Sequence, residues 1–221
     1  MKRLYEFAKR KAFPGLEFYL NKWTNPFDSL ADFGCGPASP AMYLHIKKKL
    51  GIDAANAAID ESRKRNIFTE YLVADVLHTG LRKKSYDVTM SLDVVNLMEK
   101  KDGLALIKEM ERIAKKRVII LCPNGSIEEP KEMKGQSHSK YKSEYKYLKY
   151  RSSWTAKGMR GKGYTVIGIN GLKWLRESNA KPRIKPTFLG VIISDASQLF
   201  ARFFPSTAFH LLCYKELKQS K

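Results

Sequence analysis

Four times between residues 30 and 93 a short apolar run stops at, or one residue before, an aspartate. Leu30 and Ala31 lead into Asp32, Leu50-Gly51-Ile52 into Asp53, Tyr71-Leu72-Val73-Ala74 into Asp75, and Tyr86 to Leu92 into Asp93. Helix-forming stretches alternate with these runs. Ala54 to Arg65 is rich in strong helix formers, and Asp102 to Lys116 repeats Leu104, Ile107, Met110, Ile113 and Ala114 at helical spacing. Arg117 to Leu121 is a further continuous apolar strand, closed by Pro123-Asn124-Gly125. Strands alternating with helices predict a parallel sheet covered on both faces. Ligands of such sheets sit at the carboxyl ends of the strands, so the four acids are expected to gather on one edge.

The first acid stands inside LADFGCGPASP, residues 30 to 40, where Gly34 and Gly36 lie one residue apart. Glycine lets a chain turn sharply or touch a ligand with its main chain. The run after Ser39 (Ala41, Met42, Tyr43, Leu44, Ile46) suits a helix, which would place a ligand at a helix N-terminus. Asp53 follows Gly34 by 19 residues, the spacing at which a dinucleotide fold offers a carboxylate to a ribose. Ser39, however, stands where the third glycine of G-x-G-x-x-G belongs, and Asp32 suits a pyrophosphate poorly. A cationic or neutral nucleoside ligand fits better.

D-F-G-C-G-P-A (32 to 38), G-I-D (51 to 53), A-D-V (74 to 76) and S-L-D-V (91 to 94) resemble, in order and spacing, the class I S-adenosylmethionine-dependent methyltransferases. The likeness covers about residues 28 to 125. It implies a Rossmann-like α/β fold: a seven-stranded, mostly parallel sheet with helices on both faces and an antiparallel last strand. It implies S-adenosyl-L-methionine as cofactor, with Gly34 and Gly36 approaching its methionine part while Asp32 holds the amino group. Asp53 would take the ribose hydroxyls, Asp75 the adenine amino group, and Val76 the ring through its main-chain N–H. Cys35, Ala54 and Leu92 complete the cofactor set, and Asp93 would lie beside the sulfonium and the acceptor. The family often carries a Glu-His pair after that aspartate, where this chain has Asn96-Leu97. An N-P-P-Y-like tetrapeptide is absent too, which argues against methylation of exocyclic amino groups of bases.

Among the histidines, His138 is the candidate base, while His45 and His210 are expected to be structural or surface residues. Cys35, Cys122 and Cys213 are far apart and form no C-x-x-C, which argues against a disulfide framework and a zinc site and for buried thiols. No uninterrupted apolar stretch reads as a signal peptide or membrane span, so a soluble, cytoplasmic protein is expected. The chain reads as one domain over residues 1 to 221, with a Tyr- and Lys-rich insertion or lid at about 126 to 153. Residues 131 to 185 carry 15 basic against 3 acidic side chains, most of the net charge of +19. A small molecule is the favoured methyl acceptor; RNA held by that basic segment, or a non-catalytic binding module, are the alternatives. The Phe-rich stretch Phe188 to Phe204 is expected to be an amphipathic helix packed on the core, and Ala208 to Glu216 a terminal strand.

Overall fold

The computed structural model describes residues 14–125, 150–177 and 181–218. In chain order these form α1 (Leu16–Trp23), β1 (Ser29–Phe33), β2 (Lys48–Asp53), α2 (Asn56–Lys64), β3 (Glu70–Val73), β4 (Tyr86–Leu92), α3 (Lys100–Ile113) and β5 (Ala114–Pro123). Then follow α4 (Ala156–Arg160), β6 (Thr165–Leu172), α5 (Thr187–Ala196), α6 (Gln198–Ala201) and β7 (Ala208–Glu216). The seven strands make one sheet in the order β3-β2-β1-β4-β5-β7-β6. The first five are parallel, and β7 runs antiparallel between β5 and β6. The predicted fold class is the observed one.

Strand alternation sends side chains to two cores. Val118, Ile120 and Cys122 of β5 join Leu106, Ile107, Met110 and Trp154 on one face, whereas Ile119 and Leu121 join Tyr19, Leu20, Trp23 and Ile59 on the other. The central strands are therefore buried on both faces and mostly apolar, with Thr89 and Ser91 of β4 as buried exceptions. The three cysteines are free and buried.

Two expectations are corrected. No α-helix follows the glycine turn: Pro40–Tyr43 is a single 3-10 turn, and Leu44 is already extended. Lys49 Nζ donates to the Ala41 carbonyl at 2.9 Å, occupying an acceptor that a second helical turn would use. The site therefore lacks the helix N-terminus that the strand-turn-helix reading supplied. The Phe-rich stretch is helical, but it does not pack its apolar side on the core. Phe188 is 63% and Phe203 68% exposed, while Ser194, Asp195 and Gln198 face inward. Most of the Tyr- and Lys-rich insertion, and His138 with it, lies outside the described residues.

Candidate active site

The strand order reverses between β1 and β4, and the carboxyl ends of these two strands open a cleft of about 300 Å³. Asp32, Gly34, Cys35, Gly36, Leu92 and Asp93 line it, with Leu16 and Leu121 closing its apolar side. Gly34 and Gly36 have φ of +75° and +57°, left-handed values that glycine adopts freely. A Cβ on Gly34 would strike the Val94 methyls, whereas one on Gly36 would meet open space. The loop is hung on β2, because the Gly34 and Cys35 amides both donate to the Ile52 carbonyl, at 2.8 and 2.9 Å.

Asp32 is 1% exposed. Its Oδ2 accepts a 2.5 Å hydrogen bond from Ser39, whose oxygen in turn accepts from the Ala41 amide. Ser39, in the place of the missing third glycine, is thus the carboxylate's support. Burial pushes the Asp32 carboxyl up to about 7 despite that bond, and the nearby Asp53 charge adds to the rise. A buried carboxylate met by one hydroxyl is a receptor for a positive charge. The same burial, with Asp32 and Asp53 close by, raises the Cys35 thiol and keeps it protonated.

Asp53 ends β2 and uses both oxygens on the local main chain. Oδ2 accepts from Gly36 N and Oδ1 from Ala55 N, each at 2.9 Å. One carboxylate so ties the glycine loop to the start of α2, and its remaining lone pairs are available to hydroxyls. Ala54 beside it is exposed. Asp75 lies further out, past β3, and with Asp53, Ala54 and Val76 is not among the residues lining the cleft. Its exposed carboxylate accepts from Leu77 N at 2.9 Å and approaches His78 Nδ1 at 3.4 Å, a turn-capping arrangement.

Asp93 follows β4 at φ +59°, a strained value for aspartate. Its amide donates to Leu121 O, which fixes the turn against β5. Oδ1 is buried without a hydrogen bond, although the side chain as a whole is 46% exposed. Burial pushes this carboxyl, too, up to about 7. Facing Oδ1 at 3.8 Å is Nε2 of His210. Burial, aided by the Arg176 charge, lowers His210 to about 4, so the ring is neutral at neutral pH and the approach is no ion pair. Asn170 Nδ2, a donor, sits 2.9 Å from Nδ1, which assigns the ring proton to Nε2, on the side of Asp93. Sequence reasoning left His210 as a structural residue. It enters the site because β7 runs backwards and starts at the edge where the parallel strands end. His45 is exposed, beyond the 3-10 turn.

A glycine loop, a buried carboxylate and a second carboxylate that ends β2 stand at the carboxyl ends of the strands of a Rossmann-like sheet, the edge where such sheets bind their ligands. Residues 31–122 match the family model described as a methyltransferase domain. That match spans 92 of the 221 residues, the part that holds the glycine loop and the four acids. No curated protein matches it by sequence. Among solved structures it is similar to a methyltransferase of Thermotoga maritima, described as a possible histamine N-methyltransferase, at 16% identity and TM-score 0.56 over 98% of this chain and 94% of that one. It is also similar to a chain from the Haloferax volcanii complex of the Trm112 methyltransferase activator with a methyltransferase, at 14% identity and TM-score 0.55 over 98% and 89%. The plantazolicin methyltransferase BpumL in complex with a pentazolic desmethylPZN analog and SAH shows 18% identity and TM-score 0.51 over 96% and 83%. At these identities the structures speak for the fold. Among the described residues, no helix is long and apolar enough to cross a membrane, and no metal-binding cluster is present.

Proposed function

We propose that the chain transfers a methyl group to a small-molecule acceptor bound at the cleft beside Asp93. The single observation that carries this reading is Asp93 Oδ1, buried, without a hydrogen bond and faced by His210, at the carboxyl end of β4. A buried lone pair at the mouth of a cofactor cleft calls for a ligand group.

On this reading Asp32 holds the cofactor's amino group and Gly34, Cys35 and Gly36 lie against its methionine part. Asp53 takes the ribose hydroxyls, with Ala54 beside it, while Asp75 and the Val76 amide take the adenine. Leu92 and Asp93 flank the reacting end. The bound cofactor supplies an activated methyl on a sulfonium. The chain's own work is to align the acceptor, keep water out and accept a proton where the acceptor carries one. A carboxyl raised by burial to about 7 suits that last task, because it keeps affinity for a proton that an ordinary carboxylate lacks. His138, outside the described residues, is the other proton acceptor proposed from sequence. The chain is proposed to act as one domain, with the insertion at about 126 to 153 as a lid.

The experiment is incubation with cofactor labelled on the methyl group, followed by separate recovery of small molecules and RNA from a cell extract. Label in the small-molecule fraction, lost in Asp93→Ala, supports the reading. Label in RNA would move the acceptor to nucleic acid held by the basic segment. Cofactor binding with no label anywhere would favour a non-catalytic module.

A further inference from the structure

Residues 187 to 201 form a helical stretch turned inside out, with Arg202 to Phe204 running on from its end. α5 and α6 are joined through Ser197, itself helical, so the two turn as nearly one rod. Phe188, Ile192, Leu199 and Phe200 follow one another at four, seven and one residues, which puts them on one side of the helix; Phe203 and Phe204 follow its end, and each of the six is between 46% and 68% exposed. The opposite side is polar and faces the protein. Gln198 donates to Gly168 O and accepts from Gly171 N, both at 2.9 Å, and Asp195 meets Arg176 at 3.2 Å. Gly168 and Gly171 leave room for this side: a Cβ on either would run into the carbonyls of Ala201 and Ser194. The inverted packing is therefore held in place on its polar side, and the apolar side is free to meet something else.

Charge says what. Over residues 181–207 the basic residues are Lys181, Arg183, Lys185 and Arg202, and the one acidic residue, Asp195, is buried on the far side against Arg176. Arg202 lies with its guanidinium 4.6 Å from the Phe203 ring, and Lys185 stands at the start of α5. Glu177, the nearest exposed acid in sequence, belongs to the Arg176–Pro182 bridge rather than to the apolar side. Two copies meeting through this face would bring like charges together on a chain of net charge +19. Exposed aromatics with a basic rim and no exposed acid match an anionic lipid surface.

We propose that the α5–α6 face docks in the headgroup layer of an anionic membrane. The stretch runs directly into the Pro205–Thr207 turn, whose carbonyls and that of Ala208 Asn124 Nδ2 holds at the carboxyl end of β5. Docking there brings the lipid surface to the edge of the sheet that carries Asp93 and His210. The class of acceptor that such a site reaches is one that partitions into lipid.

The test is flotation of the purified chain, without cofactor, with phosphatidylcholine vesicles and with vesicles containing about one third phosphatidylglycerol. It needs no turnover, so its outcome is independent of the methyl-transfer reading. Each basic side chain near an anionic surface strengthens binding about fivefold, so Lys181, Arg183, Lys185 and Arg202 together raise partitioning roughly 600-fold over neutral vesicles. Phe188→Ser with Phe200→Ser and Phe203→Ser should abolish flotation with an unchanged melting temperature, since all three are exposed. Phe203→Trp, which keeps the face apolar, should float and shift its fluorescence to the blue on anionic vesicles only. Wild type failing to float with anionic vesicles overturns the proposal. So does flotation that survives the triple serine change, or a dimer that the triple change dissociates in a chain that binds no vesicle.

Discussion

Replacing Asp32 by asparagine should make the cofactor-free protein more stable at alkaline pH while destroying cofactor binding. The buried carboxyl titrates at about 7 in the folded chain, against an ordinary value of 3.8. Its folded pKa lies above its unfolded one, so the folded state binds more protons between these values. The contribution to stability is full below about pH 4 and is lost as pH rises through 7. Three units at 1.36 kcal/mol each put the loss at about 4 kcal/mol above that range. Asparagine carries no charge and its carbonyl can still accept from Ser39, but its amide group needs a partner the carboxylate did not, at a cost of about 1–2 kcal/mol. The net gain near pH 8 is then about 2 kcal/mol, or roughly 4–8 °C in Tm for a chain of this length.

Thermal melts at pH 4.5 and pH 8 read this directly. The variant should melt above wild type at pH 8 and at or below it at pH 4.5. Calorimetric titration with S-adenosylhomocysteine, which shares the amino group, should show binding in wild type and none in the variant. Run in buffers of different ionisation enthalpy near pH 6.5, the wild-type titration should also show net proton release, because a bound ammonium favours the ionised carboxylate. A variant that is destabilised equally at both pH values would refute the reasoning, for the carboxylate would then carry no cost that a cation relieves.

Asp53→Ala leaves two main-chain amides without their acceptor at once and should lower stability by about 2 kcal/mol and cofactor affinity more than tenfold, by melting and titration. Asp75→Ala, at an exposed turn, should change Tm little and weaken the cofactor less than Asp53→Ala does in the same titrations. Gly34→Ala should cost about 1–3 kcal/mol from its left-handed φ alone, with a further loss against Val94. Adding Val94→Ala should return the second part and leave the first, a non-additivity that a double-mutant cycle of melts measures. If the acceptor's proton goes to Asp93, the methyl-transfer rate should rise with pH through about 7, and that limb should vanish in Asp93→Asn.

The strands were legible because central strands must be apolar on both sides. β4 and β7 begin and end where the runs Tyr86 to Leu92 and Ala208 to Glu216 do. The acids were legible as a set, since each interrupts such a run at the one edge where polar groups meet solvent. Three features were not. The missing helix after Ser39 depends on Lys49 reaching back to the Ala41 carbonyl, a contact between strands and loop that no local propensity encodes. The approach of His210 to Asp93 depends on the register of β7, which sets His210 opposite Pro123; the resemblance implied an antiparallel last strand but not that register. In the Phe-rich stretch the spacing announced a stripe but not which side faces the core. Gln198, Ser194 and Asp195 decide that, and their partners lie on β6 and the 3-10 turn that follows it.

These unread features share a location. All three concern what borders the glycine loop and Asp93 rather than the strands that carry them. The stretch matched by the family, residues 31–122, supplies the glycine loop and the acids proposed to hold the cofactor. His210, Asn170, Arg176 and the inverted helix come from beyond it, through β6 and β7 and the segment between them. The segment between β6 and β7 is tied down by side-chain hydrogen bonds to main chain, such as Asn124 to the carbonyls of Pro205, Ser206 and Ala208 and Gln198 to Gly168. Bonds of this kind fix a loop's path while leaving its outward side chains unconstrained by the core. The residues that meet an acceptor can then change without loss of the cofactor half. An exposed Phe203 or Phe204 is tolerable on this account for the same reason: the fold is held by the polar side of the stretch, and the apolar side answers only to what it touches.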